Sequence, residues 1–184
     1  MTTRALIAVA DGVEDLETVT LIDVLRRAEV EVVVASIENR RMFTCARGSR
    51  MTADIMLVDV LAQDFDLIVL PGGMPGAERL AAHEPLADKV REQARSGRLF
   101  AAICASAALG LQAFGVLKQR RVTCYPSFSD RLSGCTYVDQ SVVLDGNCIT
   151  SQGPATALEF ALTLVEQLVG KTTRNQVANA MLVP

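Results

Sequence analysis

The stretch Arg98-Leu99-Phe100-Ala101-Ala102-Ile103-Cys104-Ala105-Ser106-Ala107-Ala108-Leu109-Gly110-Leu111 joins the end of a buried strand to the start of a helix. Leu99–Ile103 is an apolar run of strand length, and the residues after Cys104 are rich in Ala and Leu, which favour helix. Small residues, Ala102 and Ser106, stand two positions before and after Cys104. A strand that turns sharply into a helix needs such small neighbours, so the stretch predicts a nucleophile elbow that presents a thiol.

Two interpretations of Cys104 stay open on this stretch alone. In the first, the turn places the sulfur over a helix N-terminus, where the helix dipole favours the thiolate. We then expect Cys104 to be the only strongly acidic thiol among the five cysteines of the chain. In the second, Cys104 is a buried and inert core cysteine.

Length, composition and charge limit the classes of protein to which this chain can belong. The length of 184 residues suits a single domain, residues 1–184, with a sizeable core. The net charge of −3 gives no nucleic-acid-binding footprint, and no apolar run is long enough to cross a membrane. The N-terminus lacks the long apolar region of a signal peptide, and five cysteines without a C-x-x-C spacing indicate reduced thiols, so we expect a cytoplasmic protein. The single histidine, His83, argues against a zinc site, and no metal is expected.

Strand-like and helix-like segments alternate along the chain. This alternation predicts an α/β fold with a mostly parallel central sheet and helices on both faces. Ligands of such sheets bind beyond the carboxyl ends of the strands, so the residues that follow the strands are candidates for a site. The main predicted strands are at residues 5–10, 30–36, 66–70, 99–103 and 122–125, with a hairpin at 141–151. Helices are predicted at 13–28, 155–169 and within 175–184, and two more between 76 and 95, where Pro85 interrupts the helical pattern.

Two acidic residues fall in the first predicted helix. Glu17 shares a helical stripe with Leu21, Val24 and Ala28, so its carboxyl lies along an apolar face. Desolvation there raises the pKa of the carboxyl, which suits either hydrogen bonding to a thiolate or general acid/base chemistry. Helix position alone equally allows a glutamate that complements the helix dipole, and for Glu14 that second interpretation is preferred.

A glycine-rich turn, Gly72-Gly73-Met74-Pro75-Gly76, follows a strand directly. Glycines let backbone N–H groups approach a substrate, which makes the Gly73 amide a candidate oxyanion donor. The spacing is neither a dinucleotide fingerprint nor a P-loop, and no cofactor is expected. His83 is expected to face solvent near a helix break, so a Cys–His couple is not expected.

Four pieces of the chain together resemble the ThiJ/PfpI superfamily, and within it the branch that holds bacterial YajL and the human Parkinsonism-associated deglycase. They occur in the family order and spacing and cover nearly the whole chain. The pieces are Gly12–Val19, Val69–Ala77, Ala101–Ala105 and Thr150–Thr156.

The resemblance implies a flavodoxin-like three-layer sandwich and a homodimer. It makes Cys104 the reactive, oxidisable cysteine and Glu17 the protonated glutamate beside it. The remaining residues it implies are Gly73 and Ala105 as backbone donors, Glu14, Tyr125 and Pro154 as residues lining the site, and Arg27 and Arg47 near the dimer interface.

The activities that the resemblance implies need no cofactor. We favour a glyoxalase or deglycase that acts on 2-oxoaldehydes, or on early glycation adducts of proteins or nucleotides, and so protects against oxidative stress. The alternative is a non-enzymatic redox sensor or holdase chaperone that uses oxidation of the same cysteine. Tyr125 stands where many members carry a histidine, and Ala105 follows Cys104 where the protease-like branch has a histidine, so peptidase and glutamine amidotransferase activities are not expected.

Overall fold

A seven-stranded sheet runs through the centre of the protein in the computed structural model, which describes residues 2–183. The strands, in chain order, are β1 (Arg4–Val9), β2 (Glu31–Ser36), β3 (Met42–Thr44), β4 (Arg50–Thr52), β5 (Ile55–Met56), β6 (Leu67–Leu70), β7 (Leu99–Ile103), β8 (Arg121–Val122), β9 (Thr136–Tyr137), β10 (Val142–Asp145) and β11 (Cys148–Ser151). The central sheet has the order β10-β11-β7-β6-β1-β2-β5, and only the pair of β10 with β11 is antiparallel. The strands β3 and β4 form a small antiparallel ribbon, and β8 pairs with β9.

Helices cover both faces of this sheet. They are α1 (Asp15–Arg27), α2 (Gly76–Ala81), α3 (Glu84–Arg95), α4 (Ala157–Val169) and α5 (Lys171–Ala180). Helix α4 packs between α1 and α5, whereas α2 packs against α3 and the segment after Cys104. The arrangement confirms the predicted flavodoxin-like three-layer sandwich with a mostly parallel sheet. None of the helices within residues 2–183 is both long and apolar enough to cross a membrane.

Hydrophobic patterning explains why these elements form. The residues of β6 and most of those of β1 and β7 are buried on both faces, as expected for central strands of a parallel sheet. Helix α1 is amphipathic, and the predicted stripe of Glu17, Leu21 and Val24 is fully buried. The sheet and this face of α1 together form the core on which the loops of the site rest.

Three predicted boundaries are wrong. Helix α1 begins at Asp15 and not at residue 13. The preceding loop is bound to the loop after β6, because Glu14 N donates to the carbonyl oxygen of Gly72 at 2.8 Å. The strand predicted at 122–125 is reduced to Arg121–Val122, because Thr123 N donates instead to Thr150 Oγ1 at 2.9 Å. The last helix starts earlier than the predicted 175, at the first residue of α5.

The strand order reverses between β1 and β6, which places a crevice at their carboxyl ends. From β1 the chain moves to β2 on one side, and β6 and β7 later fill the other side. In parallel sheets this point of reversal is the usual ligand site. The loops after β1, β6, β7 and β11 therefore meet at one edge of the sheet.

Candidate active site

Cys104 occupies a strained turn at the end of β7. Its φ of 61° lies in the left-handed region, which costs a residue other than glycine on the order of 1–3 kcal/mol. Two main-chain hydrogen bonds hold the turn: Cys104 N donates to the carbonyl oxygen of Ser151 (2.9 Å), and Tyr125 N donates to the carbonyl oxygen of Cys104 (3.2 Å). The flanking small residues, Ala102 and Ser106, are fully buried. The turn therefore has the geometry of the nucleophile elbow expected from the sequence.

A wider helical turn follows the elbow. Residues Ala107–Leu111 adopt π-helical geometry in place of the regular α-helix expected there. Such turns occur frequently at functional sites. The hydroxyl of Ser106, just before this segment, donates to the carbonyl oxygen of Pro71 at 2.6 Å and joins the elbow to the loop after β6.

Glu17 is the buried carboxyl of the site. It lies in the first turn of α1, and its Oε2 accepts a hydrogen bond from Gly72 N at 2.7 Å. Within residues 2–183 its Oε1 has no hydrogen-bond partner that meets ordinary geometry. Burial, helped by the charge of Glu14, raises the pKa of the Glu17 carboxyl to about 7, against the opposing hydrogen bonds from Gly72 and Cys104. The raised pKa expected from desolvation is confirmed.

Gly72 makes the approach of the thiol and the carboxyl sterically feasible. A Cβ atom on Gly72 would lie 2.5 Å from the Cβ of Cys104 and 2.8 Å from Oε2 of Glu17. Any side chain at this position would therefore push the two functional groups apart. The sequence pattern pointed to the neighbouring Gly73 and left the role of Gly72 unidentified, although the glycine pair directly after a buried strand was the available signal.

Hydrogen bonding from the backbone amides of Ala105 and Gly73 lowers the pKa of the Cys104 thiol, against the larger opposing effect of burial. Gly73 has a φ of 89°, and a Cβ atom there would collide with the backbone at Glu14. Glycine is thus required to bring this amide to the sulfur. The structure brings together both of the backbone donors that the family resemblance implied.

The expectation of an acidic Cys104 thiol is wrong. Burial, and next the charge of the Glu17 carboxylate, raise the pKa of the Cys104 thiol to about 12. Loss of water around the sulfur outweighs the two backbone donors and the helix N-terminus. Because Glu17 loses its proton near pH 7 and Cys104 does not, the pair above that pH is a neutral thiol beside a carboxylate.

A cavity of about 380 Å³ opens above the thiol. It contains Cys104 and most of the residues that the resemblance implied, and none of its lining residues, all within residues 2–183, is a histidine. They are Glu14, Ala46, Arg47, Gly73, Met74, Cys104, Ala105, Tyr125, Phe128 and Pro154. The thiol is therefore accessible from a chamber that has a charged side and an aromatic side.

Glu14 and Arg47 form the charged side of the cavity. Arg47 Nε lies 3.7 Å from Glu14 Oε2, and the arginine side chain is 79 % exposed. The loop that carries Arg47 is fixed to α1 because Arg47 N donates to Asp15 Oδ2 at 2.7 Å. Glu14 is largely buried and lines the cavity, so it does more than complement the helix dipole as preferred from the sequence.

Two other residues considered from the sequence lie outside the cavity. Arg27 is in the last turn of α1, where its Nε donates to Asp23 Oδ2 at 2.7 Å, and it lines a groove beside α5. His83 caps the N-terminus of α3, and its Nδ1 accepts from Leu86 N at 3.2 Å. Neither side chain takes part in the arrangement around Cys104.

The chain is similar to known proteins over most or all of its length. Among curated relatives, Protein DJ-1 homolog B of Arabidopsis thaliana is 45% identical over 183 residues, which are 99% of this chain and 42% of the relative. The chain thus spans about half the length of this relative. Protein dj-1beta of Drosophila melanogaster is 40% identical over 100% of this chain and 98% of its own length. A Caenorhabditis elegans relative named glutathione-independent glyoxalase DJR-1.2 is 38% identical over 90% of this chain and 88% of its own.

Solved structures of related proteins have the same fold over nearly the whole length of this chain. The crystal structure of Drosophila melanogaster DJ-1beta superposes with a TM-score of 0.97 at 40% identity and covers 100% of both chains. Oxidized DJ-1 of Toxoplasma gondii gives a TM-score of 0.96 at 38% identity and covers 98% of both chains. The family model described as the DJ-1/PfpI family matches residues 3–167. The chain belongs to the DJ-1/PfpI family.

Proposed function

We propose that this protein is a cofactor-free glyoxalase or deglycase that uses Cys104 to convert 2-oxoaldehydes, or their early adducts on proteins or nucleotides, into 2-hydroxy acids. The observation that carries the proposal is the Cys104 thiol, which lines a cavity whose described lining residues include no histidine, next to the buried carboxyl of Glu17, which has a pKa of about 7 and lies behind the cavity wall. A carboxyl with this pKa both accepts and returns a proton near neutral pH.

The first step is addition of the thiol to the aldehyde. The sulfur of Cys104 forms a bond to the aldehyde carbon while the Glu17 carboxylate takes the thiol proton and delivers it to the aldehyde oxygen. The product is a hemithioacetal. The position of Glu17, whose Oε2 lies against Gly72 together with the Cβ of Cys104, supports this role as general base. The amides of Gly73 and Ala105 stabilise negative charge at the sulfur.

The second step moves a proton between neighbouring carbons. Glu17 removes the hydrogen of the hemithioacetal carbon as a proton, which gives an enediolate, and returns that proton to the adjacent carbon, while the hydroxyl proton of the first carbon passes to the oxygen of the second. The first carbon is thereby oxidised to a thioester and the second is reduced to an alcohol, so no external oxidant or reductant is consumed. Water then hydrolyses the thioester, releases the 2-hydroxy acid and restores the thiol.

The C. elegans relative named as a glyoxalase supports the assignment of this chemistry to the family. The test for this chain is turnover of methylglyoxal to lactate by the purified protein and by Cys104→Ser. Cys135→Ser is the matched control, because Cys135 is the other partly exposed cysteine and lies outside the cavity. We expect Cys104→Ser to lose turnover and Cys135→Ser to retain it; equal loss in both variants, or none in either, contradicts the proposal.

A second candidate function is that of a redox sensor or holdase chaperone in which oxidation of Cys104 is the event. The observation that favours it is that Cys104 is open to a cavity and lies beside a carboxyl that can donate a hydrogen bond to an oxidised sulfur. A structure of oxidized DJ-1 from Toxoplasma gondii is among the close structural matches. Lack of methylglyoxal turnover together with selective oxidation of Cys104 by peroxide favours this candidate.

A further inference from the structure

A second, smaller depression adjoins the cavity of Cys104. Its volume is about 200 Å³, and it shares Tyr125 and Pro154 with the larger cavity. The remaining lining residues are Pro126, Gln152, Gly153, Ala155 and Thr156. A ligand bound at the thiol can therefore extend past Tyr125 without leaving the protein surface.

The ring of Tyr125 belongs to a residue that lines both spaces, and two contacts hold it in place. A Cβ atom on Gly153 would lie 3.3 Å from the Cδ2 of Tyr125, so the ring packs directly against the glycine backbone. The ring also meets Phe128 in an edge arrangement, with centroids 6.4 Å apart and an interplanar angle of 60°. These contacts fix an aromatic surface next to the reactive sulfur.

Two polar side chains of the depression, those of Thr156 and Gln152, already make hydrogen bonds within the protein. Thr156 Oγ1 lies 2.6 Å from Ser151 Oγ and accepts from Gly153 N at 3.1 Å. Gln152 Nε2 donates to Asp139 Oδ1 at 2.7 Å. No charged side chain lines the depression. A charged ligand group therefore has no oppositely charged side chain among the lining residues, whereas an apolar or aromatic group gains contact with the tyrosine and two prolines.

We propose that this depression is a subsite for the apolar or aromatic group of a 2-oxoaldehyde whose carbonyl end reacts at Cys104. The inference rests on the proposed function and names its substrate class: aldehydes that carry an aryl or branched alkyl group, in preference to methylglyoxal. The cavity of about 380 Å³ is already within the range that holds ligands much larger than a three-carbon aldehyde, and the depression adds to it.

The test compares phenylglyoxal with methylglyoxal in wild type and Ala155→Leu. Ala155 is exposed and lines the depression but not the cavity of Cys104, so leucine fills the subsite without burying new polar groups. We expect kcat/KM for phenylglyoxal to fall about tenfold while that for methylglyoxal stays within about twofold, as for other changes in hydrophobic pockets. Ala82→Leu, at an exposed alanine after α2, is the matched control. An unchanged ratio of the two substrates in Ala155→Leu overturns the proposal.

A second measurement does not depend on turnover. The test compares the rates of Cys104 alkylation by iodoacetanilide and iodoacetamide, and divides their ratio by the same ratio for free glutathione. This corrected ratio reports whether the protein binds an aryl group that an amide links to the reacting carbon. We expect this ratio to exceed one in wild type and to fall in Ala155→Leu but not in Ala82→Leu. A corrected ratio of one in wild type overturns the subsite. If the protein turns over neither aldehyde but the corrected alkylation ratio changes as expected, the result supports the subsite and overturns the proposed function.

Discussion

The carboxyl of Glu17 sets the pH dependence of the site, because it is buried and has a pKa of about 7. As general base it acts in its ionised form, so turnover of methylglyoxal should fall as the pH drops below about 7. Glu17→Gln should lower turnover by about 10²–10⁴-fold, the typical contribution of a general acid/base, and should abolish this dependence. Steady-state kinetics of methylglyoxal turnover, measured from about pH 5 to about pH 9, test both effects.

Glu14→Gln is the matched control for Glu17→Gln. Glu14 lines the same cavity, and its charge contributes to the raised pKa of Glu17. Removing that charge should shift the fall in turnover to lower pH while most of the turnover at pH 8 remains. If Glu14→Gln is as damaging as Glu17→Gln at that pH, the assignment of the general base to Glu17 is wrong.

Tyr125 lies beside the thiol but makes its contacts through its ring and its backbone. Its N–H donates to the carbonyl oxygen of Cys104, and its ring packs on Gly153. Both contacts survive removal of the phenol oxygen. A neutral phenol is also a poor general base. Tyr125→Phe should therefore reduce kcat for methylglyoxal by less than about tenfold, and a loss as large as that of Glu17→Gln would make the tyrosine a catalytic partner.

The loop after β6 is the element that brings the thiol and the carboxyl together. Gly72→Ala would place a methyl group 2.5 Å from the Cβ of Cys104, so the elbow or α1 must shift. We expect a loss of about 1–3 kcal/mol in the free energy of unfolding, typical of overpacking, together with at least tenfold lower turnover. Gly110→Ala is the control, since an added methyl group there meets only the end of the Leu70 side chain, at 3.3 Å. Urea unfolding and methylglyoxal kinetics on both variants test this, and equal effects would contradict it.

Elements of the sheet and of α1 follow from local sequence, whereas the chemistry of the site depends on contacts between distant segments. The buried strands, the elbow and the apolar face that carries Glu17 are encoded in short patterns of small and apolar residues. The role of Gly72 arises only when β6 lies beside β7 and under α1, so the glycine pair after the strand indicates a close backbone approach but does not identify the residues that meet there. The pKa of Cys104 was mispredicted for the same reason: the helix N-terminus is visible in the sequence, but the degree of burial and the approach of a carboxylate are not.

At the scale of the whole molecule, α1 presents apolar side chains to solvent. Leu16 and Val19 lie three residues apart on one face of the helix and are 51 % and 49 % exposed. Together with the family resemblance, this exposed pair supports a homodimer that needs no disulfide. We expect light scattering in reductant to give twice the 19.8 kDa mass of the chain. A monomer at micromolar concentration would contradict this expectation.

The buried carboxyl of Glu17 also couples the stability of the whole fold to pH. Its pKa is raised by folding from 4.5 to about 7, so the folded state binds its proton more tightly than the unfolded chain does. The resulting stabilisation is complete below pH 4.5 and is lost as the pH rises through about 7. A shift of this size corresponds to roughly 3 kcal/mol.

Glu17→Gln isolates this contribution, because glutamine does not titrate while every other ionisable group is retained. The glutamine amide changes the free energy of unfolding by an amount that does not depend on pH. This constant amount cancels when the difference between wild type and Glu17→Gln at one pH is compared with the difference at another. The free energy of unfolding of wild type minus that of Glu17→Gln, measured by urea titration, should therefore fall by about 3 kcal/mol between about pH 4.5 and pH 8. A difference that is constant over this range would mean that the carboxyl is ionised throughout, and the protonated glutamate would then be unavailable for returning a proton to substrate.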